Sequence, residues 1–400
     1  MSGRPLGTAR RNERAIGIGL AIGAAGLAIA TRYLVQRAHR VGQGLVDWQR
    51  AEQIAVSRLQ RAPGALSPHE LSAAARSYER AMRQVVPLLE EQLELPLPGV
   101  VERYAVVDRA GWARANLVTF EQLIGRLEGH LPMPSAEHGL AAGVAHLANR
   151  FISTQQIGLL LSYLGQRVLG QYDIALLSAE SKPGRLLFVE ENIRATATSL
   201  NVPLEDFRTW IALHEATHAF EFEANDWLRP YLRERLERQL AGVLDQARSL
   251  QSEGVGPLLR RLASGDGNPL TSLMSQEQRR LFQETQLVMS LLEGFSDWVM
   301  DEAGEKLLPN VTLIRQRFDA RRNQRRRGLD RLLARLTGLD LKLEQYRRGE
   351  RFVSGIAAGG GHQAIRLLWA GPWALPSEAE LDDPSAWVRR VAPHAVVAQA

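Results

Sequence analysis

The sequence predicts a mainly α-helical protein with a small β-hairpin or sheet placed just before one central helix. Apolar residues recur at helical spacing over most of the chain. Proline and glycine breaks cut these stretches into helix-sized segments. The clear strand signal is confined to residues 172–189.

Residues 1–40 form a separate N-terminal segment. Ala15 to Thr31 is uncharged and rich in glycine and alanine, at the lower length bound of about 17 residues for a spanning helix. It extends through residue 34 if Arg32 snorkels, and Gly19 and Gly23 form a small-xxx-small pair. The expectation is a single membrane-anchoring helix over residues 15–34 on an otherwise cytoplasmic protein. A cleaved signal peptide competes, because Arg10, Arg11 and Arg14 make a charged front and Ala28-Ile29-Ala30 resembles a cleavage site. A soluble helix is the third reading. Arginines on both flanks (Arg32, Arg37 and Arg40 follow) leave the orientation open.

Residues 41–400 are read as one helical domain. Val46 to Glu94 gives two helices divided by Ala62-Pro63-Gly64 and Ser67-Pro68. A helix over Ala110 to Leu127 follows, then a proline-rich break, then a long apolar helix from about Leu140 to Gly170. Tyr172 to Leu177 and Arg185 to Val189 flank Lys182-Pro183-Gly184 and read as a hairpin. Asn201, Pro203, Glu205 and Asp206 then carry helix-start signals for a segment uninterrupted by proline or glycine from Leu204 to Leu228.

Inside that helix residues 214–218 read His-Glu-Ala-Thr-His. One helical turn separates His214 from His218, so both imidazoles can reach a single zinc ion, and Glu215 is placed to take a proton from zinc-bound water. A pair of ordinary core histidines is the bland alternative. The apolar positions Phe207, Trp210, Ile211, Leu213 and Phe220 mark a buried helix and weigh against it.

A catalytic zinc needs a third protein ligand and an open position. Leu291 to Trp298 contains an ExxxD spacing on a second apolar helix, whose start is marked by a capping box at Ser275 and Gln278. Glu293 is the expected ligand, since a buried carboxylate without a cation is costly. Asp297, one turn along, could accept the outer N–H of a ligand histidine. Glu221, three residues after His218, and Asp297 itself are weaker ligand candidates. His39, His69, His130, His138, His146, His362 and His394 are scattered and read as surface or core residues.

The motifs, with segments such as Leu45-Val46-Asp47-Trp48, Val168 to Asp173, Arg185 to Val189 before Asn192, Leu292-Glu293-Gly294, Gly338 to Lys342, and Asp383-Pro384 with Trp387, resemble the bacterial zincin-like metallopeptidase family. The family was once a domain of unknown function, and its members often carry a label linking them to deazaflavin cofactor biosynthesis. The resemblance covers roughly residues 42–392. It implies a mostly helical zincin-like catalytic domain with His214, His218 and Glu293 on zinc and Glu215 as base. Two departures stand out. Phe295-Ser296 replaces a frequent His-Ala of the family, and Glu221 a frequent Gln. In zincins a sheet edge above the active-site helix holds substrate as an added strand; order along the chain places that role on Arg185 to Val189, with a plain packing hairpin as the alternative.

Composition agrees. The 400 residues are 45% hydrophobic and contain no cysteine, so disulfides and thiolate metal sites are excluded and histidine and carboxylates remain as strong ligands. Arg321, Arg322, Arg325, Arg326 and Arg327 form a basic cluster, but the interspersed Ile314, Phe318, Leu329 and Leu332 read as the buried stripe of an amphipathic helix. Nucleic acid is therefore not the expected partner, although an anionic membrane becomes one if the anchor holds. The expected function is a zinc-dependent metallopeptidase acting on a peptide or protein substrate. The alternatives are a zinc hydrolase of a small amide or ester, and a membrane-tethered interaction protein with a structural zinc.

Overall fold

Strand β3 is the seam of the molecule, because each of its four residues is buried. The computed structural model describes residues 44–94, 96, 99, 103–128, 139–172, 185–253, 274–322 and 339–395. In chain order the elements are α1 (Trp48–Gln60), α2 (Pro68–Leu93), β1 (Tyr104–Val107), α3 (Arg109–Glu128), α4 (Gly139–Gly165), β2 (Gly170–Tyr172), β3 (Leu186–Val189), α5 (Glu190–Leu200) and α6 (Leu204–Glu223). There follow α7 (Leu228–Glu253), α8 (Gln276–Leu307), α9 (Val311–Arg322), α10 (Leu339–Leu368), α11 (Glu378–Asp382) and α12 (Pro384–Ala395). Mainly helical architecture with a small sheet is thus what forms.

The sheet has the order β1-β3-β2, with β1 parallel and β2 antiparallel to β3. Successive side chains of a strand point to opposite faces. Leu186 and Phe188 accordingly enter the main core, where Tyr78 of α2 stacks on Phe188 at 4.3 Å. Leu187 and Val189 enter a second core with Leu59, Trp112 and Leu161 from α1, α3 and α4. The antiparallel pairing agrees with the hairpin reading, but β2 comprises residues 170–172, and the turn at 182–184 lies outside the described residues. Residues 186–189 are paired on both sides, so the edge role expected of Arg185 to Val189 falls away. Among the described residues the sheet edges belong to β1 and β2. Strand β1 has no counterpart in the sequence reading.

Helix starts follow the capping chemistry closely. Ser67 and Glu70 close a reciprocal box at α2, and Ser275 and Gln278 do so at α8, with backbone-to-side-chain bonds of 2.7 and 3.1 Å at the second. Asn201 behaves differently from its expected capping of the next helix. It adopts φ 53° and ends α5, because asparagine tolerates the left-handed conformation that terminates helices. Helix α6 starts at Leu204 without a side-chain cap.

The N-terminal run 15–34 and the arginines 325–327 lie outside the described residues. Among the described residues no helix is long and apolar enough to cross a membrane. On α9, Ile314 is fully buried and Phe318 packs on Trp210 at 4.8 Å, as the stripe reading requires.

Helices α8 and α10 approach at backbone distance. A Cβ on Gly349 would lie 2.0 Å from the carbonyl oxygen of Ser290, and one on Gly294 would lie 2.4 Å from the carbonyl carbon of Gly349. Only glycine permits this crossing, which fixes the helix carrying Glu293. We expect Gly349→Ala to lower stability by about 1–3 kcal/mol through forced separation of the helices. Urea unfolding checks this, and an unchanged midpoint would show that the crossing relaxes freely.

Candidate metal centre

Helix α6 is buried along most of its length, from Phe207 to Phe222. Its first half is tied down by Arg208, whose guanidinium pairs with the fully buried Glu190 of α5 and with Glu205. Trp210 lies parallel to His214, with ring centroids 6.2 Å apart. His214 and His218 project from the same face, their rings edge to face at 4.6 Å.

Glu293 of α8 meets them. One ligand atom from each of His214, His218 and Glu293 lies within 4.8 Å of the others, and among the described residues this group has three members. Two imidazoles and a carboxylate in a partly buried pocket form a donor set suited to zinc, with the remaining position left to water or substrate. His69 and His362 are exposed and take no part.

The outer nitrogens are held as metal-ligand histidines require. Nδ1 of His218 is 2.7 Å from Oε2 of the fully buried Glu221, and Nδ1 of His214 is 2.8 Å from the Ser296 hydroxyl. Asp297 lines the adjoining cavity with Glu293. Glu221 was legible as a neighbour of His218 at i+3, and its Oε2 meets the His218 ring. Ser296 gave no signal of its own.

Three carboxylates crowd this site, two of them buried. Burial pushes Glu215 up to about 7, with Glu293 adding and the His218 charge and the Tyr172 backbone N–H opposing. Burial likewise takes Glu221 to about 7. Burial alone would lower His218, but Glu221, Glu293 and Glu215 outweigh it and hold it at about 10. The site therefore retains protons to offset negative charge, and a divalent cation fits that demand.

A cavity of about 270 Å³ opens over the centre. His214, Glu215 and Glu293 form its floor, Trp210, Met300, Val311 and Phe318 its apolar walls, and Asp301, Arg315 and Asp319 its charged side. The Arg315 guanidinium is engaged by Asp301 and Glu350. Tyr172 is tied through its hydroxyl to Glu223 at 2.7 Å, Arg366 pairs with Glu94, and His362 lies against Trp298.

Two outcomes follow for metal binding. Glu221→Ala should weaken zinc affinity by about 10–100-fold, the usual effect of losing an outer partner, as read by competition with a chelating dye. Below a pKa of about 10 His218 holds a proton that a metal must displace, so zinc uptake at neutral pH should release protons and tighten as pH rises. Calorimetry in buffers of different ionisation enthalpy measures that release, and none would refute the protonated state.

Comparison with known proteins agrees with this geometry. No curated protein matches the chain. A solved structure of a proposed hydrolase with a novel fold from Chloroflexus aurantiacus is similar at 37% identity, with a TM-score of 0.63 over 86% of this chain and 98% of that one. The family model described as zincin-like metallopeptidase matches residues 46–388. The family and the solved neighbour both point to a hydrolase, and the chain belongs to the zincin-like metallopeptidase family.

Proposed function

We propose that the protein is a zinc-dependent peptidase. The observation that carries the reading is the position of Glu215, which shares one cavity with the cluster of His214, His218 and Glu293. A structural zinc has no use for such a carboxylate. His214, His218 and Glu293 would hold zinc, which when bound supplies Lewis acidity and brings water towards a pKa of ~7.

The chain's own residues do the rest. Glu215 receives the proton of the attacking water on its carboxylate and returns it to the leaving amine, and a value near 7 suits both directions of that transfer. Glu221 and Ser296 keep the two imidazoles turned towards the metal. Trp210 and Phe318 exclude bulk water from one side. The Glu215 carboxylate is buried before substrate arrives, so its environment does not have to reorganise during reaction.

Hydrolysis of a small amide or ester is a second reading, favoured by cavity size. A volume of about 270 Å³ is small beside the roughly 300–1,000 Å³ of common ligand pockets.

Zinc-loaded protein should cleave members of a mixed peptide library, detected by mass spectrometry, and lose that activity to a chelator. Glu215→Gln should reduce turnover at least ~100-fold, as loss of an acid–base group does, while one zinc per chain remains. Cleavage of small amides alone would select the second reading. Full activity in Glu215→Gln would overturn both.

A further inference from the structure

We infer that the three-residue strand β2 is a rigid template that positions the Glu215 carboxylate. This rests on the reading of Glu215 as the base. A Cβ on Gly170 would lie 2.5 Å from Cγ and Oε1 of Glu215 and 2.6 Å from Cδ, closer than side-chain carbons are ever found. The strand backbone is therefore laid directly against the carboxylate, and a side chain at residue 170 would have to displace it.

The hydrogen-bond phase of the sheet explains how the strand reaches Glu215. Val189 donates its N–H to the carbonyl of Leu169 at 2.8 Å. Antiparallel pairs alternate, so Gly170 and Tyr172, opposite Phe188 and Leu186, turn their polar groups away from β3 towards the sheet edge. There the Tyr172 backbone lies near enough to Glu215 to oppose the upward push of burial on its carboxyl. The strand backbone thus walls in the carboxylate. Confinement is needed because Glu215 is adjacent in sequence to His214, and helix geometry alone directs it about 100° away from the metal-facing side.

Five side-chain hydrogen bonds keep the template still. Gln171 points to the opposite face, where it accepts from the Trp112 indole at 2.6 Å and donates to Asn116 at 2.8 Å. Trp112 and Asn116 are both buried on α3. Tyr172 donates its hydroxyl to Glu223 at the far end of α6. Asn192 donates to the carbonyls of Gly165 and Val168, holding the chain just before the strand. Gly170 is the residue in contact with the base, and Gln171 acts through it as a positioning residue.

A double-mutant cycle on the full chain tests the assignment without needing a substrate. Gly170→Ala should lower the urea midpoint of the parent but leave that of Glu215→Ala unchanged, since truncation at 215 removes the collision. On zinc-loaded protein with a cleaved peptide, Gly170→Ala should lower kcat roughly 100-fold, the cost of a misplaced catalytic group, with KM and zinc content retained. Gln171→Ala should lower kcat in the same way to a smaller extent. If Gly170→Ala fails to fold, folding of Gly170→Ala with Glu215→Ala supports the template, and failure of both overturns it. Additive stability effects, or loss of zinc in Gly170→Ala, also overturn it. A parent that cleaves no peptide would instead defeat the peptidase reading, while the stability coupling still decides the template.

Discussion

Holding three carboxylates, two of them buried, beside two imidazoles is the constraint around which the molecule is organised. Removing such charges from water is costly unless each is paired or neutralised. Glu221 is paired with His218, the Tyr172 backbone opposes the effect of burial on Glu215, and Glu293 lies with the two histidines in a group that could hold a metal. The walls that seal the site, Trp210 and Phe318 among them, raise the energetic stakes of every one of these contacts.

Two helices must hold those groups to within a fraction of an ångström, and the fold supplies different devices to each. Helix α6 is anchored by the buried Arg208–Glu190 pair at one end and by Glu223 with Tyr172 at the other. Helix α8 is fixed by the side-chain-free crossing of Gly294 and Gly349 against α10. The first device is electrostatic and sequence-specific. The second is steric and relies on the absence of side chains.

The chemistry of the site was largely readable from spacing. His214 and His218 share a face by helical period, and Glu293 stood out as a carboxylate in an apolar helix, because burial and charge conflict visibly in one dimension. Capping boxes at Ser67 and Ser275 were similarly local. What escaped was non-local. Strand β1 is four residues long and half-buried, and becomes recognisable through its parallel partner some eighty residues away. Ser296 and Gln171 are ordinary polar residues until the fold brings them to His214 and to Trp112. Asn201 carries the right chemistry for either end of a helix, and its left-handed backbone decides which.

Strand β3 carries one more implication. In most sheets one face is wet, and a slip by one residue would expose apolar side chains, so the hydrophobic pattern itself enforces alignment. Here Leu186, Leu187, Phe188 and Val189 are all apolar and all covered, and a slipped strand would still look well solvated on neither face. Alignment has to be encoded by polar residues outside the strand, namely Gln171, Tyr172 and Asn192, which find their partners in a single phase only. A sheet of eleven residues thus keeps its registration by hydrogen-bond bookkeeping in its neighbours, and a shift of one position would swing a glutamine side chain to the side now kept bare by Gly170.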